Sequence, residues 1–180
     1  IIGCMEKYNL KYFVRVTGDN PLSDPLATKL LIKNHLKNKN DYTFTTTLPW
    51  GLRTEVFSLK ALKKCLRRII DPDSTEYLTY FFKRKDIFKT QNVKFKKYYS
   101  NEQNLNISID YSKDFNRLNS LLKKNNYNYK IRRKTISAFL KKNTQPIHPD
   151  NKISLKTSQY DARYKNDKKR ILNLSTQKTS

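Results

Sequence analysis

The chain has 180 residues, which is enough for one domain with a hydrophobic core. No apolar run approaches the length of a membrane-spanning helix, and Cys4 and Cys65 lack the spacing typical of a zinc site or a disulfide framework. These features exclude the membrane-spanning and disulfide-rich classes, and they predict a cytoplasmic protein with reduced thiols that does not contact a membrane.

The formal net charge is +23, from 38 lysine and arginine residues against 15 acidic residues. Such a charge attracts phosphates and nucleic acid, so a ribosomal or RNA-associated protein is one interpretation. The other is a compositional bias toward Lys, Asn, Ile, Tyr and Phe, the residues that AT-rich codons specify. The basic residues are spread along the whole sequence and form no single stripe. This spread favours compositional bias and leaves nucleic-acid binding as the alternative function.

The first half of the chain predicts strands and helices in alternation. Residues 1–9 have the pattern of a helix end, and residues 11–17 are rich in the aromatic and β-branched residues typical of a strand. Asp24 and Pro25 suit the N-cap and the first position of the next helix. Beyond that helix the pattern predicts strands at 41–47 and 54–57, a turn at 49–51 between them, and a helix at 59–70.

The second half continues this alternation and then changes in character. Its predicted elements are helices at 75–83, 112–124 and 135–142 and strands at 92–98 and 106–109. Apolar residues concentrate before about Phe139, whereas the sequence from residue 144 onward is polar and basic. We therefore predict an α/β domain with helices on the faces of a sheet over residues 1–143, followed by a basic, poorly ordered tail over residues 144–180.

Two acidic residues lie where a ligand would meet such a sheet. Asp19 follows the first predicted strand, with Gly18 allowing a tight turn before it, and Asp110 ends the last predicted strand. Ligands of α/β sheets bind beyond the carboxyl ends of the strands, and Mg²⁺ is commonly held by one or two carboxylates together with substrate phosphates. The spacing is therefore compatible with a magnesium site. Spacing alone favours the other interpretation, in which the two carboxylates cap a loop and a helix.

Four sequence segments occur in an order that resembles one enzyme family. They are VRVTGDNPLSDP at 14–25, DYTFTTTLPWGLRTEVFSLKAL at 41–62, DPDSTEYLTYFF at 71–82 and NISIDYSKDFNRL at 106–118. Together they resemble the spore-coat polysaccharide biosynthesis protein F family of cytidylyltransferases, relatives of the CMP-Kdo and CMP-sialic acid synthetases. Residues 134–140 are similar to the short terminal helix of that family.

The resemblance implies an incomplete Rossmann-like sheet of the nucleotide-diphospho-sugar transferase (GT-A-like) type, with flanking helices and a basic C-terminal tail. It implies transfer of CMP from CTP to a sugar or sugar acid, with release of pyrophosphate, for surface-polysaccharide biosynthesis. Asp19 and Asp110 match catalytic positions that bind Mg²⁺ in related synthetases. The substrate-binding positions that the resemblance implies are Arg15, Thr17, Gly18, Asn20, Glu55 and Glu76.

Glu55 and Glu76 match acidic positions that we expect to line the sugar side of the pocket. Each also has a structural interpretation, Glu55 as a surface residue on an edge strand and Glu76 as a charge favoured by the dipole of a helix N-terminus. The sequence departs from the family pattern at Arg53, where the family has Asp, and at Tyr77, where it has His. These departures concern the sugar specificity more than the metal site.

The family also has a loop containing Gly, Arg and Lys that cradles the triphosphate. This sequence contains three glycines and no such loop. We therefore expect the chain to be the C-terminal portion of such an enzyme, to bind CTP weakly and to be inactive alone. A homodimer is one arrangement that the sequence permits, because an exposed Trp50 in a strand-turn-strand arm would suit an interface.

Overall fold

The structure, a computed structural model, describes residues 1–67, 79, 82–95, 105–128, 130–131 and 133–143. The helices in this part of the chain are α1 (Ile2–Lys7), α2 (Pro25–Asn38), α3 (Leu59–Leu66), α4 (Ser112–Lys124) and α5 (Arg133–Lys142). The strands are β1 (Tyr12–Arg15), β2 (Tyr42–Phe44), β3 (Glu55–Ser58) and β4 (Thr90–Asn92). The predicted tail and most of the predicted helix at 75–83 lie outside the described residues, so both stay predictions.

The four strands form one mixed sheet in the order β1-β3-β2-β4. Strand β3 is antiparallel to both β1 and β2, whereas β2 and β4 are parallel. Strands β1, β2 and β4 therefore run in the same direction, and their carboxyl ends meet at one edge of the sheet. The start of β3 lies at that same edge, which we call the carboxyl edge. The predicted α/β sheet with flanking helices is confirmed.

Helices cover both faces of this sheet. On one face Val14 and Val56 contact a core built with α2, α4 and α5, which extends as far as Leu140. On the other face Tyr42 and Phe57 contact a second core built with α1 and α3. The alternation of side chains along each strand supplies one core from each face, as expected for a sheet buried between two layers of helices.

Helix α2 begins where its sequence predicts. The Asp24 carboxylate accepts hydrogen bonds from the backbone N–H groups of Leu26 and Ala27, at 2.9 and 3.0 Å. Pro25 occupies the first turn, where its missing N–H costs no helical hydrogen bond. The helix ends at Lys39, which adopts the left-handed conformation with φ of 49°.

The two later strands differ from their predictions. The strand predicted at 92–98 overlaps β4 (Thr90–Asn92) only at Asn92, and the prediction was wrong for residues 93–95, which do not extend the strand. The predicted strand at 106–109 is reduced to one isolated parallel bridge between Trp50 and Asn106. The strand prediction was therefore wrong beyond Asn106, because the segment joins a turn rather than the sheet.

That turn depends on Gly51. The glycine has φ of +88°, and a Cβ atom built on it would lie 2.4 Å from the backbone nitrogen of Ser108. Only glycine meets both conditions without strain. The backbone N–H of Trp50 donates to Leu105 O, and the N–H of Ile107 donates back to Trp50 O, both at 2.9 Å. Gly51 thus allows the segment that contains Asp110 to pack against this turn.

Candidate functional site

The loop after β1 is organised by its own side chains. Strand β1 ends at Arg15, and the chain then passes through Thr17, Gly18 and Asp19 at the carboxyl edge. The Asn20 side-chain amide donates to Thr17 Oγ1 at 2.6 Å, and the Asn20 backbone N–H donates to Thr17 O at 3.0 Å. These two bonds close a tight turn whose tip exposes Asp19.

Gly18 is not needed for the geometry of this turn. Its φ lies outside the left-handed region, and a Cβ atom built on it would have no neighbour within 4 Å. The prediction that Gly18 allows a tight turn was therefore wrong, because Thr17 and Asn20 supply the turn instead. The open space beside the Gly18 backbone is compatible with the close approach of a ligand.

Asp19 and Asp110 lie close together in the structure. The backbone N–H of Ile109 donates to the carbonyl oxygen of Asp19 at 2.9 Å. The residue that precedes Asp110 is therefore hydrogen-bonded to Asp19 itself, across 90 positions of sequence. Both aspartates are exposed. The sequence predicted that Asp19 and Asp110 would lie together at the carboxyl edge of the sheet. The strand expected before Asp110, however, is only a bridge.

The carboxylate of Asp110 does not cap the following helix. Asp114 has that role, because its Oδ2 atom accepts from the backbone N–H groups of Tyr111 and Asp110, at 3.0 and 3.3 Å. Asp110 Oδ2 instead accepts from Ser108 Oγ at 2.8 Å and from Asn106 Nδ2 at 3.2 Å. The side chains of two preceding residues thus orient the Asp110 carboxylate, which removes the helix-cap interpretation.

Asn106 and Ser108 were missed as supporting residues. A signal for them exists in the sequence, since Asn106, Ser108 and Asp110 alternate with Ile107 and Ile109 at the period of an extended chain. That alternation places the three polar side chains on one side. Ile107 is buried in the core, and Ile109 is packed against it.

The donor set fits a magnesium ion in type and number. Within the described ranges, no hydrogen bond or ion pair engages the Asp19 carboxylate or Asp110 Oδ1, so carboxylate oxygens of both residues are available at the edge. No group of three or more His, Cys, Asp or Glu side chains able to hold a metal occurs in the part of the chain that the structure describes. Two exposed carboxylates suit Mg²⁺, which takes one or two carboxylates and completes its shell with water and phosphate oxygens.

Glu55 has a more enclosed position than the sequence predicted. Strand β3 lies between β1 and β2, so Glu55 is not on an edge strand, and the structural interpretation offered for it was wrong. Its Oε2 atom accepts from Arg15 Nη1 at 2.8 Å, and its Oε1 atom accepts from the hydroxyl of Tyr42. The pKa of Tyr42 is raised, first by burial and then by the neighbouring Glu55 charge, so the hydroxyl stays protonated and donates.

Arg53, which stands where the resembling family has an acidic residue, organises the turn between β2 and β3. Its Nε atom donates to Leu48 O at 2.7 Å, and its Nη2 atom donates to Thr46 O at 3.2 Å. The guanidinium also lies 4.2 Å from the centroid of the Trp50 ring, at cation–π distance. Burial lowers the pKa of Arg53 to about 10, so it remains a cation at neutral pH.

Other predictions about the site are not decided by these contacts. Glu76 lies outside the described residues. Trp50 keeps 42% of its surface exposed beside Arg53, which is compatible with the interface expected for it but tests no dimer. No helix among the described residues combines the length and apolarity that a membrane crossing requires.

Comparison with known proteins identifies relatives of most of the described region. The sequence model of a family described as cytidylyltransferase matches residues 3–133. An uncharacterised protein of Methanocaldococcus jannaschii is 32% identical over 109 residues, which are 60% of this chain and 44% of that protein. The spore coat polysaccharide biosynthesis protein SpsF of Bacillus subtilis is 25% identical over 113 residues, which are 62% of this chain and 47% of that protein.

A solved structure agrees with the fold. A cytidylyltransferase from Leptospira borgpetersenii serovar Hardjo-bovis superimposes with a TM-score of 0.68 over 82% of this chain and 65% of that chain. The sequence identity is 21%, so this likeness concerns the fold. The chain spans about half the length of the curated relatives it matches, at 44% and 47% of their sequences.

Proposed function

Since the chain belongs to the cytidylyltransferase family, we propose that it takes part in transfer of CMP from CTP to a sugar or sugar acid, with release of pyrophosphate. The observation that carries the proposal is the meeting of Asp19 and Asp110 at the carboxyl edge, through the hydrogen bond from Ile109 N–H to Asp19 O. Ligands of α/β sheets bind at this kind of edge.

Asp19 and Asp110 would hold Mg²⁺ in the proposed reaction. The bound ion would supply electrostatic neutralisation of the CTP phosphates. The chain's own contribution is to hold the backbone turn of Asp19 and to orient the Asp110 carboxylate before substrate arrives. The Thr17–Asn20 pair holds the Asp19 turn, and Ser108 and Asn106 orient Asp110. A site that is organised in advance loses less free energy to reorganisation during the reaction.

A role in surface-polysaccharide biosynthesis is the finer part of the proposal. Its support is the B. subtilis relative, whose name assigns that protein to spore coat polysaccharide synthesis. Arg15 and Glu55 lie at strand ends that flank the aspartates, and the Gly18 backbone borders open space in the loop after β1. We propose that the sugar binds in this region. Arg53 places a cation at the turn between β2 and β3, where the family pattern has an acid.

The nucleic-acid-binding alternative is not favoured. The family match covers residues 3–133, so most of the described region belongs to an enzyme domain. The two site carboxylates are exposed and would repel a phosphate backbone. The charge of +23 then reflects composition, and it needs no polyanionic partner.

Metal binding tests the proposal directly. Mn²⁺ replaces Mg²⁺ at oxygen sites and is detected by electron paramagnetic resonance, which counts bound ions by loss of the free-ion signal. We expect one Mn²⁺ to bind the native chain, and we expect at least about 10-fold weaker binding in Asp19→Asn and in Asp110→Asn. The matched control is Glu6→Gln, which removes one exposed carboxylate on α1, where Glu6 pairs with Lys63.

Two results would count against the proposal. One is Mn²⁺ binding that survives in the double variant of Asp19 and Asp110. The other is equal weakening in Glu6→Gln, which would indicate a general effect of charge. Release of pyrophosphate from CTP in the presence of a sugar acid, measured with the complete enzyme, then tests the reaction itself.

A further inference from the structure

Arg15 and Glu55 form an ion pair at the carboxyl edge, and the buried Tyr42 hydroxyl is hydrogen-bonded to the same Glu55 carboxylate. The two residues are direct partners in the antiparallel register of β1 and β3. Arg15 Nη1 donates to Glu55 Oε2 at 2.8 Å, and the Tyr42 hydroxyl donates to Oε1. Both oxygens of Glu55 are therefore engaged inside the protein, which leaves the carboxylate poorly placed to receive a sugar hydroxyl.

The three side chains differ in exposure in a consistent order. Tyr42 is 1% exposed, the Glu55 side chain 20% and the Arg15 side chain 33%. The network thus runs outward from the core, with a tyrosine at its base, a carboxylate in the middle and a guanidinium at the surface. The outermost member is the one that a ligand at the edge can reach.

The base of this network is held rigidly. The Tyr42 ring is stacked on Phe44 and on Phe57, with centroids 5.0 and 4.7 Å apart. A tilted contact with Phe82 at 5.7 Å fixes it from another side. The position of the hydroxyl, and through it that of Glu55, is therefore set by the second core.

We propose that Arg15 binds an oxyanion of the substrate, a phosphate or a sugar carboxylate, and that Glu55 and Tyr42 are positioning residues that hold its guanidinium at the carboxyl edge. This inference rests on the function proposed above, because it assigns that substrate to the same edge. It also replaces the expectation that Glu55 contacts the sugar. A guanidinium has five donors in a planar fork, and Glu55 uses one nitrogen of Arg15, so further donors remain for a bidentate contact with an oxyanion.

The first experiment measures anion binding without metal or CTP. The ¹⁵N resonance of Arg15 Nε is followed by NMR in EDTA and about 0.15 M salt, which screens contacts with scattered lysines. One arm adds inorganic pyrophosphate and the other adds N-acetylneuraminate, with the neutral sugar N-acetylmannosamine as the reference. We expect millimolar-range binding in at least one arm, and the responding arm identifies the phosphate or the carboxylate as the source.

Arg15→Gln and Arg15→Lys decide the role of Arg15. We expect about 10-fold weaker anion binding in Arg15→Gln and partial recovery in Arg15→Lys, which keeps the charge but loses the fork. The control is Arg67→Gln, which removes the same charge from an exposed position after α3. Native protein that binds neither anion, or equal losses in Arg15→Gln and Arg67→Gln, would overturn the proposal.

Glu55→Gln and Tyr42→Phe decide the positioning roles. We expect each to weaken anion binding about 3-fold and to move the Arg15 Nε resonance toward that of free arginine, an effect that lost stability alone does not produce. Tyr42→Phe keeps the ring contacts with Phe44 and Phe57, so it folds even where Glu55→Gln does not. Anion binding that is unchanged or stronger in Tyr42→Phe would overturn this part of the proposal.

The two proposals can fail separately. Failure of the chain to bind Mn²⁺ would count against the proposed metal site only. It would not affect the anion titration, because that titration contains EDTA and no metal. A native Mn²⁺ site together with anion binding insensitive to Arg15 would retain the proposed function and reject the role of Arg15.

Discussion

Arg133 and Asp24 are 109 positions apart in the sequence and form a bidentate ion pair. Arg133 Nε donates to Asp24 Oδ2 at 2.7 Å, and Nη2 donates to Oδ1 at 2.9 Å. Asp24 is 6% exposed, and its Oδ1 atom also accepts the N-cap bonds of α2. Asp24 lies at the end of the loop that contains Asp19. Its carboxylate therefore caps the N-terminus of α2 and also binds the first residue of α5.

Replacing Arg133 should destabilise the fold. Arg133→Gln leaves a buried carboxylate with fewer charge-assisted hydrogen bonds, so we expect the free energy of unfolding to fall by about 2 kcal/mol. Urea denaturation followed by circular dichroism measures this loss. The control is Lys134→Gln, at an exposed neighbouring position of α5, where we expect a change within about 0.5 kcal/mol. Equal effects of the two variants would contradict a specific role for the ion pair.

The Asp24–Arg133 pair marks a limit of what the sequence predicts. Asp24 was identified as the N-cap of α2 because the cap and the following proline are adjacent in sequence. Its partner could not be found, since nothing local specifies which of many basic residues folds back over such a distance. The antiparallel direction of β3 could not be predicted either, because the pattern of buried residues in a strand is the same in either direction.

In the candidate site, too, local features were predictable from the sequence and long-range contacts were not. The positions of Asp19 and Asp110 at the ends of predicted strands were sufficient to place them at the same edge of the sheet. The partners of Glu55 were not predicted, because they depend on the register of β3 against β1 and on the depth of Tyr42 in the core. Local patterns thus identified the carboxylates, and tertiary contacts determine which of them remain available to a ligand.

Gly51 offers a test of the turn that supports Asp110. In Gly51→Ala the new methyl group would meet the backbone of Ser108 and Ile107 at 2.4 and 2.6 Å, at a residue with φ of +88°. Strain and overlap together should lower the free energy of unfolding by on the order of 3 kcal/mol.

Gly18→Ala is the matched control for this prediction. It adds the same methyl group where no atom lies within 4 Å and φ is outside the left-handed region. Its effect on the free energy of unfolding should stay within about 0.5 kcal/mol. Both values follow from urea denaturation, and similar destabilisation in the two variants would contradict the packing of Gly51 against the segment before Asp110.

Stability should depend on pH through His35. Burial lowers the pKa of this imidazole below its ordinary value of 6.5, and the nearby Asp41 charge opposes that shift in part. Its Nδ1 atom lies 3.0 Å from Thr43 Oγ1 inside the core. The unfolded chain therefore binds a proton at higher pH than the folded chain does, so the free energy of unfolding falls as the pH drops below about 6.5.

Thermal unfolding between about pH 7.5 and pH 5.5 checks the contribution of His35. We expect His35→Gln to have a lower melting temperature at neutral pH and a weaker decline on acidification than the native chain. His148→Gln is the control, since His148 belongs to the predicted tail outside the described residues, and it should keep the native pH dependence. A native-like decline in His35→Gln would contradict the assignment.

The number and positions of the glycines predict that the chain binds CTP weakly. The sequence has three, of which Gly3 lies in helix α1 and Gly51 is enclosed by the backbone of Ser108 and Ile107. Gly18 alone lies in an open loop, and one glycine does not provide the run of unhindered backbone N–H groups that cradles a triphosphate. We therefore expect isothermal titration of this 180-residue chain with CTP and Mg²⁺ to give a dissociation constant weaker than about 1 mM. Micromolar binding by the native chain would contradict this expectation. Its retention in Asp19→Asn would show that the phosphates are held by residues other than the edge described above.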